Sequence, residues 1–306
     1  MIERPLFHGA FLSIVTVRLL AGAERGAYKA RPVSFHPKAP LMQPFASVLS
    51  SLTPAQESFE GTITPDWLQG RTLFGGMGAA LCLHTARKLT GGERPLRSMT
   101  ISYIAPVSPD APFEITPRVL REERNVTQAS AELRQNGTIA TAAHFCFAKD
   151  FPSALSSDEM PMPAPRAPEE SDPLPFFEGM SPSFAQHFDM HWSHGAFPVR
   201  GAEKGDNLVW VRHKDDVSDV KESAFIAMAD ALPPSAISML SKPAPLSTLT
   251  WQLNILDPSF ETEDQWWLTH ARVLHAANGY VTQESRFWNS EGKIAAAGWQ
   301  SVAVFG

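Results

Sequence analysis

The 306-residue sequence contains only two cysteines, Cys82 and Cys146, too few for a disulfide framework or a cysteine-based zinc site. Each stands among small or apolar neighbours, Leu81 and Leu83 around one and Phe145 and Phe147 around the other. Both therefore read as packing residues, and a reducing, cytoplasmic setting fits them. Clustered basic charge is missing too: 26 Lys plus Arg face 32 Asp plus Glu, for a net charge of −6. Nucleic acid is thereby excluded as a natural partner, because phosphate binding draws on grouped Lys and Arg. The longest greasy stretch, residues 11–17, ends at Arg18, so no membrane span is expected. No Walker loop and no Gly-x-Ser-x-Gly elbow occur, and Gly76-Met77-Gly78 lacks the preceding strand and the third small residue of a dinucleotide loop.

What is present is 43% hydrophobic and 19% charged, an ordinary globular composition, long enough for one large domain or two small ones. Residues 1–41 differ from the rest. Their six Lys or Arg, two Glu and four Pro follow no sustained period after Leu20. They read as a disordered N-terminal extension, with Met42 as the natural start, in preference to a secretory or transit leader. A second break falls at 151–183, where 33 residues hold eight Pro, six acidic residues and the single Arg166. It reads as an exposed proline-rich acidic linker between blocks 42–150 and 184–306.

The two blocks echo one another. Val126-Thr127-Gln128 and Ser130 recur as Val281-Thr282-Gln283 and Ser285, and Gly137, Ile139, Ala140 and Ala142 fall on Gly292, Ile294, Ala295 and Ala297. At this offset of 155, eight of 22 positions are identical, which points to two copies of one fold. Gly75-Gly76 opens an apolar segment to Leu89 that is greasy on nearly every face, so it must be an enclosed helix. Arg87 and Lys88 suit its C-terminal dipole, and Thr90-Gly91-Gly92 ends it. Strands are expected at 97–107, 113–121, 126–134 and 139–147, with 60–65 as an added first strand. The second copy repeats the order with 208–212, an apolar segment 224–240, then 246–256, 266–274, 281–288 and 294–304. The expected fold is α+β: two tandem hotdogs, each an antiparallel sheet wrapped around a central helix.

The chain resembles the type II, double-hotdog acyl-CoA thioesterases over about residues 42–306. The resemblance is carried by Gln69-Gly70 with Phe74-Gly75-Gly76, by Ser102-Tyr103 with Pro106, by Ala229-Asp230 with Pro233-Pro234, by Ser247-Thr248-Leu249, and by Ala297-Gly298-Trp299-Gln300. It implies an acyl-CoA substrate, no cofactor, no metal, and a hydrolytic water held by Asp230, Thr248 and Gln300. Pairing of hotdog sheets in the family also implies a possible homo-oligomer. Of the eight Trp, five lie after residue 250 and could serve such a contact or the core.

The residues carry their own arguments. Asp230 is the only ionisable side chain between Ser223 and Ser241. A carboxylate in that setting is either a helix N-cap, bonded to the Leu232 N–H with Pro233 and Pro234 in the first turn, or a functional group; the two roles are compatible. By the same offset it stands opposite Gly75. Thr248 lies in an alternating strand, where a β-branched residue on a solvent face is the plain alternative. Gln300 stands among small and apolar residues in the last strand and takes the place of Phe145 in the first copy, so one active site per pair of hotdogs is expected. Gly75 and Gly76 are either backbone donors to the oxyanion at the helix N-terminus or close-packing glycines.

The expected chemistry is direct hydrolysis, with Asp230 accepting a proton from the attacking water and no covalent intermediate. Other readings are weaker. His187, Asp189, His191 and His194 crowd together, but alternate strand residues do so without a metal. Hotdog hydratases carry an Asn-Pro that is absent between Asp189 and His194. A non-catalytic acyl-thioester binder with the same groove is the alternative from another class. A purely structural module would leave three polar residues unexplained in apolar surroundings.

Overall fold

Period-two patterns dominate the chain after the first helix, and in the computed structural model, which describes residues 42–305, they become one antiparallel sheet. The extension 1–41 lies outside the described residues. The first half runs α1 (Phe45–Ser50), β1 (Thr53–Ala55), β2 (Ser58–Gly61), the short pair β3 (Leu68–Gln69) and β4 (Thr72–Leu73), then α2 (Gly75–Thr90). Strands β5 (Leu96–Tyr103), β6 (Phe113–Glu122), β7 (Val126–Gln135) and β8 (Thr138–Ala148) follow. The second half has β9 (Asp172–Pro173), β10 (Phe188–His194), β11 (Asp206–His213), α3 (Lys221–Ala229), β12 (Leu246–Ile255), β13 (Trp267–Ala277), β14 (Tyr280–Asn289) and β15 (Ile294–Val304).

The strand order is β1-β2-β6-β7-β8-β5-β12-β15-β14-β13-β11-β10-β9. The halves meet where β5 pairs antiparallel with β12, Thr100 opposite Gln252. Each half wraps its sheet about a helix, and the two helices pack on each other, so the double hotdog is one continuous layer around a helical pair. Helix α2 is buried from Gly76 to Leu83 and packs on β6, β7 and β8, as its all-round apolar character requires. At its C-terminal end Arg87 makes a two-pronged contact with Glu222 of α3, at 2.6 and 2.5 Å, and lies over the Phe147 ring.

Three details depart from the sequence reading, the first being that the strand expected at 60–65 lies at Ser58–Gly61 and gives way to a 3-10 turn at Pro65–Trp67. The repeated Val-Thr-Gln does not mark equivalent positions, since Gln128 is exposed while Gln283 is buried. Inner residues of β7 such as Ala129, Ala131 and Leu133 answer to Gln283, Ser285 and Phe287 of β14, so this part of the echo is one residue out of step with the pleat, while β8 and β15 keep it. The second helix is also short: the apolar segment 224–240 is not one helix but α3, a turn at 230–234, and a 3-10 turn at Ser235–Met239.

The proline-rich segment is exposed through Glu159 and then lies along the second hotdog. Trp288 Nε1 donates to Met160 O and Trp210 Nε1 to Arg166 O. Arg166 in turn donates to the carbonyls of Trp192 and Ser193. Under this strap sits a separate apolar cluster of Leu208, Trp210, Trp266, Leu268 and Trp288. Strand β11 is buried on both faces for this reason, which its Leu-Val-Trp-Val run requires. Of the five late tryptophans only Trp299 is markedly exposed, at 43%.

Candidate active site

Helix α3 stops because its last turn runs into Asp230, whose φ of −100° and ψ of 0° leave the helix, followed within four residues by two prolines that cannot extend it. The N-cap expectation for Asp230 is therefore corrected: Asp230 is the C-cap of α3, and no helix starts at Leu232. Its side chain crosses to the other hotdog. The carboxylate accepts the backbone N–H of Gly76, in the first turn of α2, and the Nε2–H of Gln300, at 2.8 Å. Gly75 is thus the neighbour of Asp230 and not its counterpart. A Cβ built on Gly75 would lie 2.8 Å from Asp230 Oδ2, so the bare backbone is what lets the carboxylate in.

Burial is the main influence on this carboxyl and pushes its pKa up to about 7, opposed by the Gln300 and Gly76 hydrogen bonds. Such a group is half ionised near neutral pH, where a general base is most effective. The hydroxyl of Tyr103, at the end of β5, is buried and has no hydrogen-bond partner among the described residues. Its ring packs at the same glycine, 3.2 Å from that virtual Cβ, and burial followed by the Asp230 charge holds the phenol well above its usual range. The hydroxyl is therefore a donor over the whole working pH range.

Gln300 reaches Asp230 from the inner face of β15, where Phe145 stands in the first copy, and both side chains are buried. Its amide is held from behind. Ser235 N–H donates to Gln283 Oε1 at 2.6 Å, and Gln283 Nε2–H donates to Gln300 Oε1 at 3.0 Å. Thr248 stands in β12 opposite Val302, just before a bulge at Leu249, half-buried, and joins none of these bonds among the described residues. The structure thus brings Asp230, Gln300, Gly75 and Gly76 into one contact set and leaves Thr248 beside it on a neighbouring strand.

Gly76 settles into two roles. Its N–H serves the carboxylate, and a Cβ there would meet Ala227 O at 2.6 Å, so it also lets α2 and α3 approach. Neither Gln283 nor Tyr103 has a site role legible in the sequence. Gln283 was visible only as part of the repeat, and Tyr103 only as part of the family pattern. The crowded His187, Asp189, His191 and His194 point to separate partners: Asp66, Arg212, the Pro168 carbonyl and Ser193.

A half-buried carboxylate of the second hotdog thus meets the first turn of the first hotdog's helix and a carboxamide of the last strand, where the two helices come together. The family follows from direct matches: residues 63–148 match the acyl-CoA thioesterase N-terminal domain and residues 168–304 the acyl-CoA thioesterase C-terminal domain, and the chain belongs to the acyl-CoA thioesterase family. No curated protein matches it. Among solved structures, a hot dog fold protein of unknown function from Alicyclobacillus acidocaldarius is similar at TM-score 0.76 and 22% identity, over 86% of this chain and 98% of that one. The tesB protein of Mycobacterium avium subs paratuberculosis gives 0.70 and 17%, over 86% and 100%. An acyl-CoA thioesterase II, TesB2, from Mycobacterium marinum gives 0.69 and 16%, over 86% and 98%. At these identities the likeness speaks for the fold. The chain is an enzyme of the thioester hydrolase class, and no helix among the described residues is long and apolar enough to cross a membrane.

Proposed function

We propose that the enzyme hydrolyses an acyl-CoA to the free acid and CoA by direct attack of a water held by Asp230, Gln300 and Thr248. The observation that carries the reading is the Asp230 carboxylate, with a pKa of about 7, fixed by Gln300 Nε2–H and Gly76 N–H at the junction of the two helices. Asp230 accepts a proton from the water as it attacks the thioester carbonyl. Gln300 keeps a second amide hydrogen for positioning, and Thr248 offers a hydroxyl from β12. The tetrahedral oxyanion forms at the positive end of α2. Helix geometry leaves Gly75 N–H without an intrahelical acceptor, and the Tyr103 hydroxyl lies beside it. CoA thiolate then leaves and takes up a proton. We place the enzyme in acyl-CoA metabolism of the cytoplasm, where Cys82 and Cys146 stay free thiols.

The test is free-thiol release from short, medium and long acyl-CoAs by the wild type and Asp230→Asn. Loss of a general base costs roughly 10²- to 10⁴-fold, so turnover should fall by that order with acyl-CoA affinity retained. Absence of turnover from every substrate, with binding intact, would replace this reading by the acyl-thioester binder. Turnover indifferent to Asp230 would remove the proposed site.

A further inference from the structure

We infer that Gln283 is a positioning residue that locks the Gln300 amide with its N–H side toward Asp230, and so sets the protonation equilibrium of that carboxylate. The inference rests on the proposed hydrolytic role of Asp230 only for its kinetic readout.

The polarity of the chain is forced from one end. Ser235 presents a backbone N–H, which can only donate, so the Gln283 atom facing it at 2.6 Å is the carbonyl oxygen. The other end of that amide, Nε2, therefore faces Gln300 and requires an oxygen there, at 3.0 Å. Gln300 is left with its own Nε2–H toward Asp230 Oδ1, at 2.8 Å. Each link donates toward the next, and the last acceptor is the carboxylate. Gln283 is 2% exposed, so water does not compete with the sequence of bonds. The chain of bonds also returns to its starting segment, since Ser235 opens the 3-10 turn that directly follows the turn at 230–234. Ser235 is anchored independently by its Oγ–H to Ala271 O at 2.7 Å, which holds the donor in place.

The consequence concerns two states of Asp230. Ionised, it is served by the locked Gln300 donor. Protonated, its O–H would be served best by Gln300 Oε1, which requires the amide to flip. With Gln283 present, a flip sets two N–H groups face to face, so it is blocked. Remove Gln283, and the flipped amide becomes available to the protonated acid alone, which raises the pKa. The other titratable group facing Asp230 is Tyr103 of β5, with Cys82 of α2 behind it. Burial holds the phenol well above its ordinary range and pushes the thiol up to about 12, so both remain neutral between pH 5 and 9.

The experiment compares wild type, Asp230→Asn, Gln283→Met, which keeps the volume without the amide, and Gln283→Asn, whose shorter amide cannot span the gap. The pH dependence of kcat and KM is measured for one acyl-CoA that the wild type turns over. The expected result is an acidic limb of kcat moved up by about one pH unit, roughly a tenfold shift in the ionisation equilibrium. The defect should close at high pH, with KM within about twofold of wild type. A limb that stays in place, or a uniform fall at all pH values, overturns the inference. A readout free of turnover is added: thermal unfolding from pH 5 to 9, each protein compared with its own Asp230→Asn counterpart. The pH at which the Asp230-dependent loss of stability levels off should move up in the Gln283 variants, and an unmoved profile overturns the inference by itself. Failure of the hydrolytic reading looks different, as a wild type without Asp230-dependent turnover whose stability profile still shifts with Gln283.

Discussion

A carboxylic acid that titrates near pH 7 in the fold and near 3.8 in the unfolded chain takes up a proton on folding between those values. Its folded pKa is raised, so the carboxyl is without cost below about pH 4, becomes destabilising as pH rises toward 7, and carries its full cost above that. Three pKa units correspond to roughly 4 kcal/mol as an upper figure. Replacing Asp230 by Asn keeps an oxygen acceptor for Gly76 N–H or Gln300 and removes the charge. We expect Asp230→Asn to raise Tm by several degrees at pH 8, by little at pH 4, and to remove the proposed general base at both. Differential scanning calorimetry at the two pH values checks this; equal Tm shifts at both would mean that the carboxyl is not held neutral by burial. With Asp230 as the proposed base, activity is expected to have the opposite slope, rising through about pH 7 as the carboxyl ionises. Stability and function therefore pull against each other at one residue.

At the scale of elements, the opening of α2 is where the two hotdogs exchange groups, and its two glycines should fail differently. On Gly76, an added methyl meets Ala227 O and the Phe74 ring, both at 2.6 Å, and backbone cannot move aside. Gly76→Ala should cost about 1–3 kcal/mol by overpacking and show it as a lower Tm. On Gly75, the methyl meets the end of the Asp230 side chain at 2.8 Å and the Tyr103 ring at 3.2 Å. Gly75→Ala should displace the carboxylate and lower kcat at least tenfold, with a smaller change in Tm. Parallel melting and kinetics on the two variants decide this, and identical profiles would argue against separate roles. Much of this level was legible in the sequence. The all-apolar run from Gly75 fixed a buried helix, and alternation located the long strands to within a few residues, because one face of each is covered. The end of α3 was not legible. Apart from Asp230, residues 224–240 are continuously apolar or small, and Pro233-Pro234 can follow a helix as well as begin one, so the sequence leaves an N-cap open for Asp230 where the structure has a helix end. Gln283 was hidden for a related reason: its repeat partner Gln128 faces solvent, and sequence identity carries no record of which side of the pleat a residue takes.

For the whole molecule, the asymmetry between the halves lies outside the sheet as well as at the site. The second hotdog has a tryptophan-rich outer face that would be a large exposed apolar patch, and the chain between the halves covers it. Arg166 is the fastener. It donates to the carbonyls of Ser193, Trp192 and Glu170 and pairs with Asp172, while its own carbonyl accepts from Trp210. The strap lies on the face opposite Phe287, Val209 and Val211, which belong to the main core around the helices. The strap and the Asp230 carboxylate are thus separated by the thickness of the sheet. Arg166→Ala removes charged donors from three carbonyls, a loss of about 1.5–3 kcal/mol for such bonds. We expect faster proteolysis within residues 151–173, a red-shifted tryptophan emission as Trp210 and Trp288 meet water, and a Tm lower by several degrees. We also expect kcat unchanged at 25 °C, because no strap residue touches Asp230, Gln300 or Gln283. Limited proteolysis run beside thiol-release kinetics would show the separation. A large fall in kcat with the strap still protected from protease would mean instead that the outer face communicates with the site through β14, the strand that carries Trp288 on one side and Gln283 on the other.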